Sequence, residues 1–260
     1  MLDTYEQFTQ AIFQITGINL ASYKERQMKR RIDSLILKRN FSDYESYIKA
    51  LKTDKLIYDE FVNYITINVS EFYRNPKQWE VLEQEILPML MKGVSNIKIW
   101  SAACSTGEEP YSLVFAMNKF LPLNQIKIIA TDIDREVISK AQTGIYNPKS
   151  LDSLPREMVP KYFHEEGDFY RVKNEVKQCV DFRHHNLLAD KYPDDVDLIV
   201  CRNVLIYFTE EAKSQVYTSF SKALRDGGVL FVGSTEQIIL ASRYNFVSAS
   251  TFFYQKVRNI

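Results

Sequence analysis

Short apolar runs alternate with helix-like patterns from residue 97 onward, and this alternation limits the possible fold more than any other feature of the sequence. Four of the runs predict strands: 97–100, 126–131, 196–200 and 229–232. The third of them, 196–200, is mostly apolar, so we expect it to be buried on both faces of a sheet. Helical patterns stand between them: 111–120, 135–141 behind a capping Asp134, and a third from Thr209 to Gly227 and Gly228. This order predicts an α/β domain with a parallel sheet that is covered by helices on both faces.

The alternation is interrupted between Gly144 and Arg183. Residues 169–172 and 176–182 alternate between apolar and polar side chains, as short antiparallel strands do. We therefore predict a small β insertion at about 148–183. Residues 246–247 and 251–256 are expected to close the main sheet as a second antiparallel pair.

The first 65 or so residues have the periodicity of amphipathic helices and no strand pattern. Gly17 is expected to end the first helix, and Ser42 with Glu45 resembles the capping box that begins a later one. We predict an all-helical domain over residues 1–66, followed by the α/β domain over residues 67–260.

Charge is uneven along a chain whose 33 basic and 33 acidic residues balance. Seven basic and two acidic residues fall between Lys24 and Arg39, so this stretch carries a net charge of +5 and the remainder −5. The stretch would suit an acidic partner, and it would equally suit a solvated helix face. Composition alone leaves both interpretations open.

Several classes of protein are disfavoured by what the sequence lacks. The three cysteines, Cys104, Cys179 and Cys201, have no paired spacing, which indicates reduced thiols and a cytoplasmic protein. The three histidines lack the spacing of metal ligands, so we predict no metal site. No apolar run approaches the roughly 18 to 20 residues of a membrane span, and the first thirty residues lack the apolar core of a secretory signal.

The strongest candidate for a binding site lies after the first two strands, because ligands of such sheets bind outside the carboxyl ends of the strands. The loop 101–107 is made of small residues that allow a ligand to approach the backbone closely. Asp132 ends the next strand, at a position where an acid can accept hydrogen bonds from ribose hydroxyls. Glu108 and Glu109 would repel the phosphates of a dinucleotide but attract a cofactor with a cationic amino acid end. This favours S-adenosylmethionine over a nicotinamide dinucleotide, although solvated glutamates after an ordinary loop remain the alternative.

Polar residues follow the other strands at the same edge. Arg202 and Asn203 come directly after the third apolar run, and Asn186 follows the run that contains Phe182. Their side chains are suitable donors for an adenine or a carboxylate, and each one alone is more often a satisfied structural group.

Three segments together resemble the CheR-type methyltransferases of bacterial chemotaxis receptors. They are T-x-N-x-S-x-F-Y-R at 66–74, W-S-A-A-C-S-T-G-E-E-P-Y-S at 100–112 and C-R-N-V-L-I-Y-F at 201–208. Their order and spacing also agree with that family over nearly the whole chain. The resemblance implies a Rossmann-like class I methyltransferase sheet with a small antiparallel β insertion, preceded by an all-helical domain.

The resemblance also implies roles for particular residues. The cofactor S-adenosylmethionine, and its product S-adenosylhomocysteine, would be bound by Asn68, Ser70, Arg74, Glu109, Asp132, Asn186, Leu187, Arg202 and Asn203. Arg74 and Tyr207 would lie nearest the transferred methyl group as catalytic residues. The acceptor would be the side-chain carboxylate of glutamate in the cytoplasmic helical domain of a chemotaxis receptor, which becomes a glutamyl methyl ester.

The basic stretch acquires a sharper interpretation from the resemblance. Receptor methylation segments are rich in glutamate, so a helix carrying Arg26, Lys29, Arg30 and Arg31 is expected to dock them. In some relatives the β insertion carries a glycine-rich loop that tethers the enzyme to the receptor's C-terminus. The corresponding stretch 164–168 is short with one glycine, so we expect no such tether.

Three rival interpretations remain. A methyltransferase of this fold with another acceptor, such as RNA, is disfavoured by overall neutrality and by the lack of aromatic residues within the basic run. A non-catalytic sensor of the cofactor would not need Arg74 and Tyr207. A nicotinamide oxidoreductase conflicts with the loop glutamates. We expect a monomeric enzyme that binds neither nucleic acid nor the membrane interior, and the receptor and the glutamates it modifies do not follow from the sequence.

Overall fold

The computed structural model describes residues 4–94 and 96–257. The terminal residues 1–3 and 258–260 of the two predicted domains, and Ser95, lie outside the described residues. Contacts divide the chain into two units. A helical unit contains residues 4–68 and Leu205–Gln215, and a sheet unit contains Val69–Val204 and residues 216–257.

Four α-helices form most of the helical unit: α1 (Tyr5–Thr16), α2 (Glu25–Lys38), α3 (Tyr44–Thr53) and α4 (Lys55–Thr66). Gly17 ends α1 in the left-handed region (φ 73°), as its position in the sequence predicts. The predicted capping box at Ser42 is wrong, because Asp43 lies at the N-cap and accepts the backbone N–H of Ser46 at 2.7 Å. Aspartate and serine are about equally good N-cap residues, and the negative charge of Asp43 also suits the helix dipole.

The helical unit encloses a core of aromatic and aliphatic side chains. Phe8, Tyr47 and Phe61 are fully buried, and their rings meet in edge-to-face or tilted contacts through Tyr44 and one another. Burying such a side chain contributes about 1.5–3 kcal/mol to folding. The periodic apolar residues therefore explain why these helices pack together.

The remaining helices are α5 (Pro76–Val81), α6 (Leu87–Leu90), α7 (Glu108–Met117), α8 (Arg135–Thr143), α9 (Met158–Tyr162), α10 (Asn174–Lys177) and α11 (Glu210–Ala223). A π-helical turn, Leu82–Ile86, joins α5 to α6. Asp134 caps α8 by accepting the N–H of Glu136 at 2.8 Å, as predicted. Helix α11 ends at Ala223, before the predicted stop at Gly227 and Gly228, which lie inside the next strand.

Within the described residues, ten strands form two sheets: β1 (Ile99–Ala102), β2 (Ile128–Asp132), β3 (Ile145–Tyr146), β4 (Phe163–Glu166), β5 (Phe169–Val172), β6 (Val180–His184), β7 (Val196–Cys201), β8 (Leu224–Val232), β9 (Phe246–Ser250) and β10 (Phe253–Lys256). The main sheet has the order β6-β2-β1-β7-β8-β10-β9. Its first five strands are parallel and the last two are antiparallel, which confirms the predicted α/β class and the closing pair. Every residue of β7 is buried, as expected for a central parallel strand.

The small antiparallel sheet has the order β3-β5-β4 and confirms the predicted β insertion as an element of the fold. The prediction of an antiparallel strand over residues 176–182 is wrong. Val176 lies in the short helix α10, and β6 pairs in parallel with β2 in the main sheet. Because β6 is an edge strand with exposed positions, its sequence alternates as an antiparallel strand does.

Candidate functional site

The loop after β1 is pinned against the end of β2 by two backbone donors. The N–H of Cys104 donates to the carbonyl oxygen of Thr131 at 2.8 Å, and the N–H of Ser105 donates to Asp132 Oδ2 at 2.8 Å. Ala103 and Ser105 both have positive φ angles (68° and 48°), which non-glycine residues adopt at an energetic cost. Such strain is commonly retained at binding sites, so it marks this loop as a candidate.

Gly107 ends this loop and begins α7 with a φ of 97°. A Cβ atom here would lie 2.9 Å from the Cβ of Ala141 and 2.9 Å from the hydroxyl of Tyr146. The glycine is therefore required for close packing of the chain against itself. The sequence suggested approach of a cofactor as its reason, and the structure supplies an internal one.

Two buried glutamates begin α7. Glu109 Oε1 accepts the hydroxyl of Ser101 at 2.7 Å, while its Oε2 lies 3.8 Å from Nη1 of Arg202. Glu108 accepts the hydroxyl of Thr106 at 2.7 Å. Burial raises the pKa of both carboxyls, and for Glu109 the nearby Arg202 only partly opposes it. Negative charge is thus held in a poorly solvated place, which favours a cationic ligand.

Asp132 lies at the end of β2 and is 5% exposed. Its two oxygens accept the backbone N–H groups of Ser105 and Asp134, at 2.8 and 3.0 Å. Burial raises the pKa of Asp132 to about 6, so the group is mostly ionised at neutral pH. A carboxylate fixed in this way has lone pairs left for hydroxyl donors.

Arg202 follows β7 and connects the sheet to the chain that precedes α5. Its Nη2 donates to the carbonyl oxygen of Arg74 at 2.7 Å, to Asn75 at 3.0 Å and to Gln78 at 2.9 Å. The guanidinium also lies over the ring of Phe231 at 4.7 Å. Burial lowers the pKa of Arg202, and Glu109 opposes that change. Arg202 therefore fixes the residues around Arg74 as well as facing Glu109.

Asn203 is held by Glu236, a residue that the sequence analysis missed. The Glu236 carboxylate accepts the backbone N–H groups of Asn203, Val204 and Gly233 at 2.5–2.9 Å, and Glu236 is 5% exposed. Asn203 adopts a φ of 60°. A Cβ at Gly233 would lie 2.8 Å from the backbone nitrogen of Asn203 and 2.5 Å from Glu236 Oε2, so a larger residue would force the chain at Asn203 to move. The motif G-S-T-E directly follows the fourth apolar run, which is the signal that locates it at this edge.

The segment 69–74 is anchored within the sheet unit by Phe72. Phe72 is fully buried among the rings of Phe115, Tyr146 and Phe163. Ser70 hydrogen-bonds with Glu108 and slightly opposes the rise in the pKa of that carboxyl that burial causes. Nη1 of Arg74 donates to the carbonyl oxygen of Val69 at 3.2 Å. The predicted ligands Ser70 and Arg74 therefore belong to the same network as Glu109 and Arg202.

Asn186 and Leu187 lie in the turn that follows β6, next to the end of β2. The N–H of His185 donates to the carbonyl oxygen of Asp132 at 2.9 Å, which places this turn beside that strand. Asn186 accepts the N–H of Leu188 at 2.9 Å, and the carbonyl oxygen of Leu187 accepts the hydroxyl of Tyr192 at 2.7 Å. The structure therefore brings eight of the nine predicted cofactor ligands to one edge of the sheet. They are Ser70, Arg74, Glu109, Asp132, Asn186, Leu187, Arg202 and Asn203.

Asn68 and Tyr207 belong to the helical unit, as do the predicted docking residues. Asn68 donates to the hydroxyl of Thr66 at 2.9 Å. Tyr207 ends a 3₁₀ turn (Leu205–Tyr207), and its carbonyl oxygen accepts the N–H of Lys24 at 2.8 Å, so it lies against the start of α2. The predicted catalytic tyrosine thus accompanies the basic helix.

The four predicted docking residues on α2 differ in what they contact. Arg26 and Arg30 are exposed, and no ion pair of theirs occurs within the described residues. Lys29 pairs with Asp33 at 2.8 Å. Arg31 is half-buried, donates to the carbonyl oxygen of Tyr64 and lies over the Tyr64 ring at 4.5 Å. Arg26 and Arg30 are therefore free to meet a partner, whereas Arg31 supports the fold of its unit.

The groups at the carboxyl edge fit S-adenosylmethionine. Buried carboxylates suit its ammonium and sulfonium charges, and Asp132 suits ribose hydroxyls. Ser105 Oγ and Asn203 Oδ1 are buried and have no hydrogen-bond partner among the described residues, as expected of atoms that await a polar ligand. Over residues 4–94 and 96–257, no group of three His, Cys, Asp or Glu side chains is arranged to hold a metal ion. Within the same ranges, no helix combines the length and apolar character that crossing a membrane requires.

Comparison with known families and proteins agrees with this geometry. Residues 3–66 match the family model described as CheR methyltransferase, all-alpha domain, and residues 68–253 match the model described as CheR methyltransferase, SAM binding domain. The chemotaxis protein methyltransferase of Listeria innocua is 43% identical over 253 residues, which cover 97% of this chain and 97% of that protein. The chemotaxis protein methyltransferase of Escherichia coli is 32% identical over 244 residues, covering 89% and 83%.

Proposed function

The chain belongs to the CheR family of S-adenosylmethionine-dependent chemotaxis methyltransferases, and from that premise we propose that it methylates the glutamate side chains of chemotaxis receptors. The product would be a glutamyl methyl ester, with S-adenosylhomocysteine as the second product. The observation that carries the proposal is the state of Arg74. This half-buried guanidinium bonds to a backbone carbonyl oxygen and forms no ion pair within the described residues. An available cation beside the cofactor groups suits an anionic acceptor.

The cofactor groups divide by chemistry. We assign Glu109 to the methionine ammonium, Asp132 to the ribose hydroxyls, and Asn203 with Asn186 and Leu187 to the adenine end. Asn68, together with Ser70 and Arg74 of the segment 69–74, would cover the cofactor, and Arg202 would hold that segment in place. The fixed hydrogen bonds of Glu109, Asp132 and Asn203 support these assignments, because they orient each group before a ligand arrives.

When bound, S-adenosylmethionine supplies a methyl group that is already activated by the sulfonium. A glutamate carboxylate is ionised near neutral pH, so its oxygen can attack without a general base. Arg74 would orient the carboxylate, and Tyr207 would position it through its phenol. Too strong a pairing with Arg74 would lower the nucleophilicity of the oxygen, so alignment and exclusion of water carry the catalysis.

Docking of the receptor is assigned to the basic helix α2. Arg26, Lys29, Arg30 and Arg31 give this helix its positive charge, and the two exposed arginines are best placed to meet acidic receptor helices. We further propose that the enzyme acts in the cytoplasm as a monomer, without nucleic acid. The buried, unpaired thiols of its three cysteines agree with a reducing compartment.

We also propose that methylation does not require a tether to the receptor's C-terminus. Strands β4 and β5 are joined by a two-residue turn, Gly167 and Asp168, which leaves no long loop to hold a peptide. A receptor without its C-terminal residues should therefore be methylated at the same rate as the full-length receptor. Saturable binding of the C-terminal peptide to this enzyme, with loss of rate on truncation, would contradict this.

The main test uses the purified protein, methyl-labelled S-adenosylmethionine and receptor-containing membranes. Label that enters the receptor and leaves as methanol in mild base establishes a carboxyl methyl ester. Label that resists base identifies another acceptor chemistry. Saturable cofactor binding without any transfer would favour a sensor.

A further inference from the structure

A rigid loop, Gly233 to Tyr244, follows β8 at the same edge of the sheet as the cofactor groups. Glu236 fixes its beginning through three backbone N–H groups, and Ile238 donates its N–H to the hydroxyl of Tyr254 at 3.0 Å. The ring of Tyr244 packs against Tyr217 at 5.4 Å. The loop is therefore held at its start, middle and end. We call it the rim loop.

The rim loop exposes two large aliphatic side chains in sequence. Ile239 is 85% exposed, the highest value among the exposed large apolar residues of the described chain, and Leu240 is 55% exposed. Isolated exposed apolar residues are ordinary, but two adjacent ones on a fixed loop are less so. Nothing in the loop's own packing explains why these positions are apolar.

Leu240 adds an energetic cost to that exposure. Its backbone is left-handed (φ 55°, ψ 50°), a conformation that favours glycine or asparagine over a branched aliphatic residue. The chain thus retains leucine where a smaller or polar residue would reduce strain and exposure together. A contact between the leucine side chain and a binding partner would account for this choice.

The charge of the rim loop restricts the partner. Its one carboxylate, Glu236, is buried and bonded to backbone N–H groups, whereas Arg243 is exposed. The exposed surface of the loop therefore carries apolar and basic groups without an acid. This surface complements a polypeptide that presents apolar and acidic side chains.

Hydrogen bonds connect the rim loop to the residue assigned to the acceptor. Glu236 binds the N–H of Asn203, and the preceding Arg202 binds the carbonyl oxygen of Arg74. The rim loop and Arg74 are therefore parts of one hydrogen-bonded network at the carboxyl edge of the sheet, where a segment that places its carboxylate at Arg74 would lie. Continuity with that site selects the protein substrate as the occupant of the loop.

We propose that the rim loop is a substrate-docking surface on which Ile239 and Leu240 pack against apolar side chains that flank the acceptor glutamate, while Arg243 pairs with a neighbouring acid. The proposal rests on the proposed function, because it takes the acceptor protein from it. It assigns part of substrate choice to the sheet unit, in addition to the basic helix.

The test compares the double variant Ile239→Ser, Leu240→Asn with the wild-type enzyme. Asparagine tolerates the left-handed backbone, so the fold is preserved. The matched control is Phe120→Ser: Phe120 is 38% exposed and follows the end of α7, at the opposite, amino edge of the sheet. Calorimetry measures binding of a soluble cytoplasmic receptor fragment and of S-adenosylhomocysteine, and labelled transfer gives KM and kcat.

We expect the double variant to raise both the fragment Kd and KM about tenfold, an effect typical of losing one well-packed apolar contact. Its kcat and its affinity for S-adenosylhomocysteine should stay within about twofold of wild type, as should every value for Phe120→Ser. Unchanged fragment binding by the double variant, with an active wild type, overturns the rim-loop proposal alone. Weakened S-adenosylhomocysteine binding also overturns it, since the loop would then act on the cofactor.

The same measurements separate this proposal from the proposed function. Wild-type protein that binds the fragment but forms no base-labile ester overturns glutamate methylation, and the rim loop is then judged by the fragment Kd values. Wild-type protein that does not bind the fragment overturns both proposals.

Discussion

Two regions of the molecule contain many of the charged residues to which a function is assigned, and these residues are buried in one region and exposed in the other. At the carboxyl edge of the main sheet, Glu109, Asp132, Arg202 and Glu236 are all less than 10% exposed and are fixed by hydrogen bonds. On helix α2, in contrast, Arg26 and Arg30 extend into solvent.

The two regions differ in the folding free energy that their charged groups cost. A buried carboxylate costs folding free energy unless donors or a cation compensate it, so its retention indicates a ligand of matching charge. An exposed arginine costs almost nothing and acts at longer range, in a manner that salt screens. Substitutions at the sheet edge should therefore change cofactor affinity or stability, whereas substitutions of the two exposed arginines on α2 should change only encounters with the receptor.

The largest effect is expected for Glu109→Gln, which removes the charge assigned to the cofactor ammonium. We expect the affinity for S-adenosylhomocysteine to fall about 100-fold, or about 3 kcal/mol, because a desolvated charge pair is lost. Titration calorimetry measures it. Glu108→Gln is the matched control, since Glu108 is equally buried and adjacent but bonds to Thr106 and Ser70. Equal losses in the two variants would mean that the sheet edge responds to net charge and not to one contact.

The sequence located Glu109 because its signals are local. The small-residue loop, the helix start and the acid at the next strand end lie within about 30 residues and obey the strand-end rule. Strands β1, β2 and β7 were predicted for the same reason, since each contains a short, mostly apolar run. Capping of α8 by Asp134 is also a local signal, and it is confirmed.

Features that depend on distant partners escaped prediction. Strand β6 was assigned to the insertion because its parallel pairing with β2 leaves no trace in its own alternation. Gln78, which binds Arg202, lies 124 residues away from it, and Glu236 lies 33 residues beyond Asn203. No spacing rule links such pairs, because the fold brings them together only after the sheet has formed.

The second effect concerns Glu236→Gln, which tests whether an unpredicted residue positions a predicted one. An amide has one acceptor oxygen in place of two, and its NH₂ faces backbone donors, so up to two of the three N–H bonds are lost. We expect the free energy of unfolding to fall by about 2 kcal/mol. Chemical denaturation measures this loss. Binding of S-adenosylhomocysteine should weaken in parallel, because Asn203 loses its fixed conformation.

The control for this experiment is Glu80→Gln, an exposed glutamate on α5. Its stability should remain within about 0.5 kcal/mol of wild type. If Glu236→Gln is as stable as this control and binds cofactor normally, Asn203 does not depend on Glu236.

The third effect is a pH dependence that only the sheet edge should show. Burial raises the pKa of Asp132 to about 6, and ribose hydroxyls are assigned to its ionised form. Affinity for S-adenosylhomocysteine should therefore be constant above about pH 7 and fall as pH decreases through 6, by about tenfold at pH 5. Calorimetry across this range tests it, and Asp132→Asn should bind weakly with a flatter profile. An unchanged profile in that variant would assign the titration to another group, such as Glu109, whose pKa is also raised.

Stability should change in the opposite direction with pH. A carboxyl whose pKa is higher in the folded protein than in the unfolded chain binds its proton more tightly when folded. The contribution of Asp132 to the free energy of unfolding is thus largest below about pH 4 and decreases as pH rises through 6. Protonation of Asp132 therefore stabilises the ligand-free enzyme and weakens cofactor binding. A group that serves binding and not folding is expected to behave in this way.

The smallest effect is expected on α2, where the sequence assigned one role to residues that the structure separates. Arg26→Ala with Arg30→Ala should raise KM for the receptor about fivefold, an effect that decreases as salt rises, while unfolding changes by less than about 0.5 kcal/mol. Arg31→Ala should instead lower the free energy of unfolding by about 1–2 kcal/mol, because Arg31 bonds to the Tyr64 carbonyl oxygen and stacks on its ring. Denaturation curves and KM at two salt concentrations distinguish the two. If Arg31→Ala is as stable as wild type and shows the same salt-dependent rise in KM, Arg31 contributes to docking in the same way as Arg26 and Arg30. All the charge of α2 would then differ in function from the buried charge of the sheet edge.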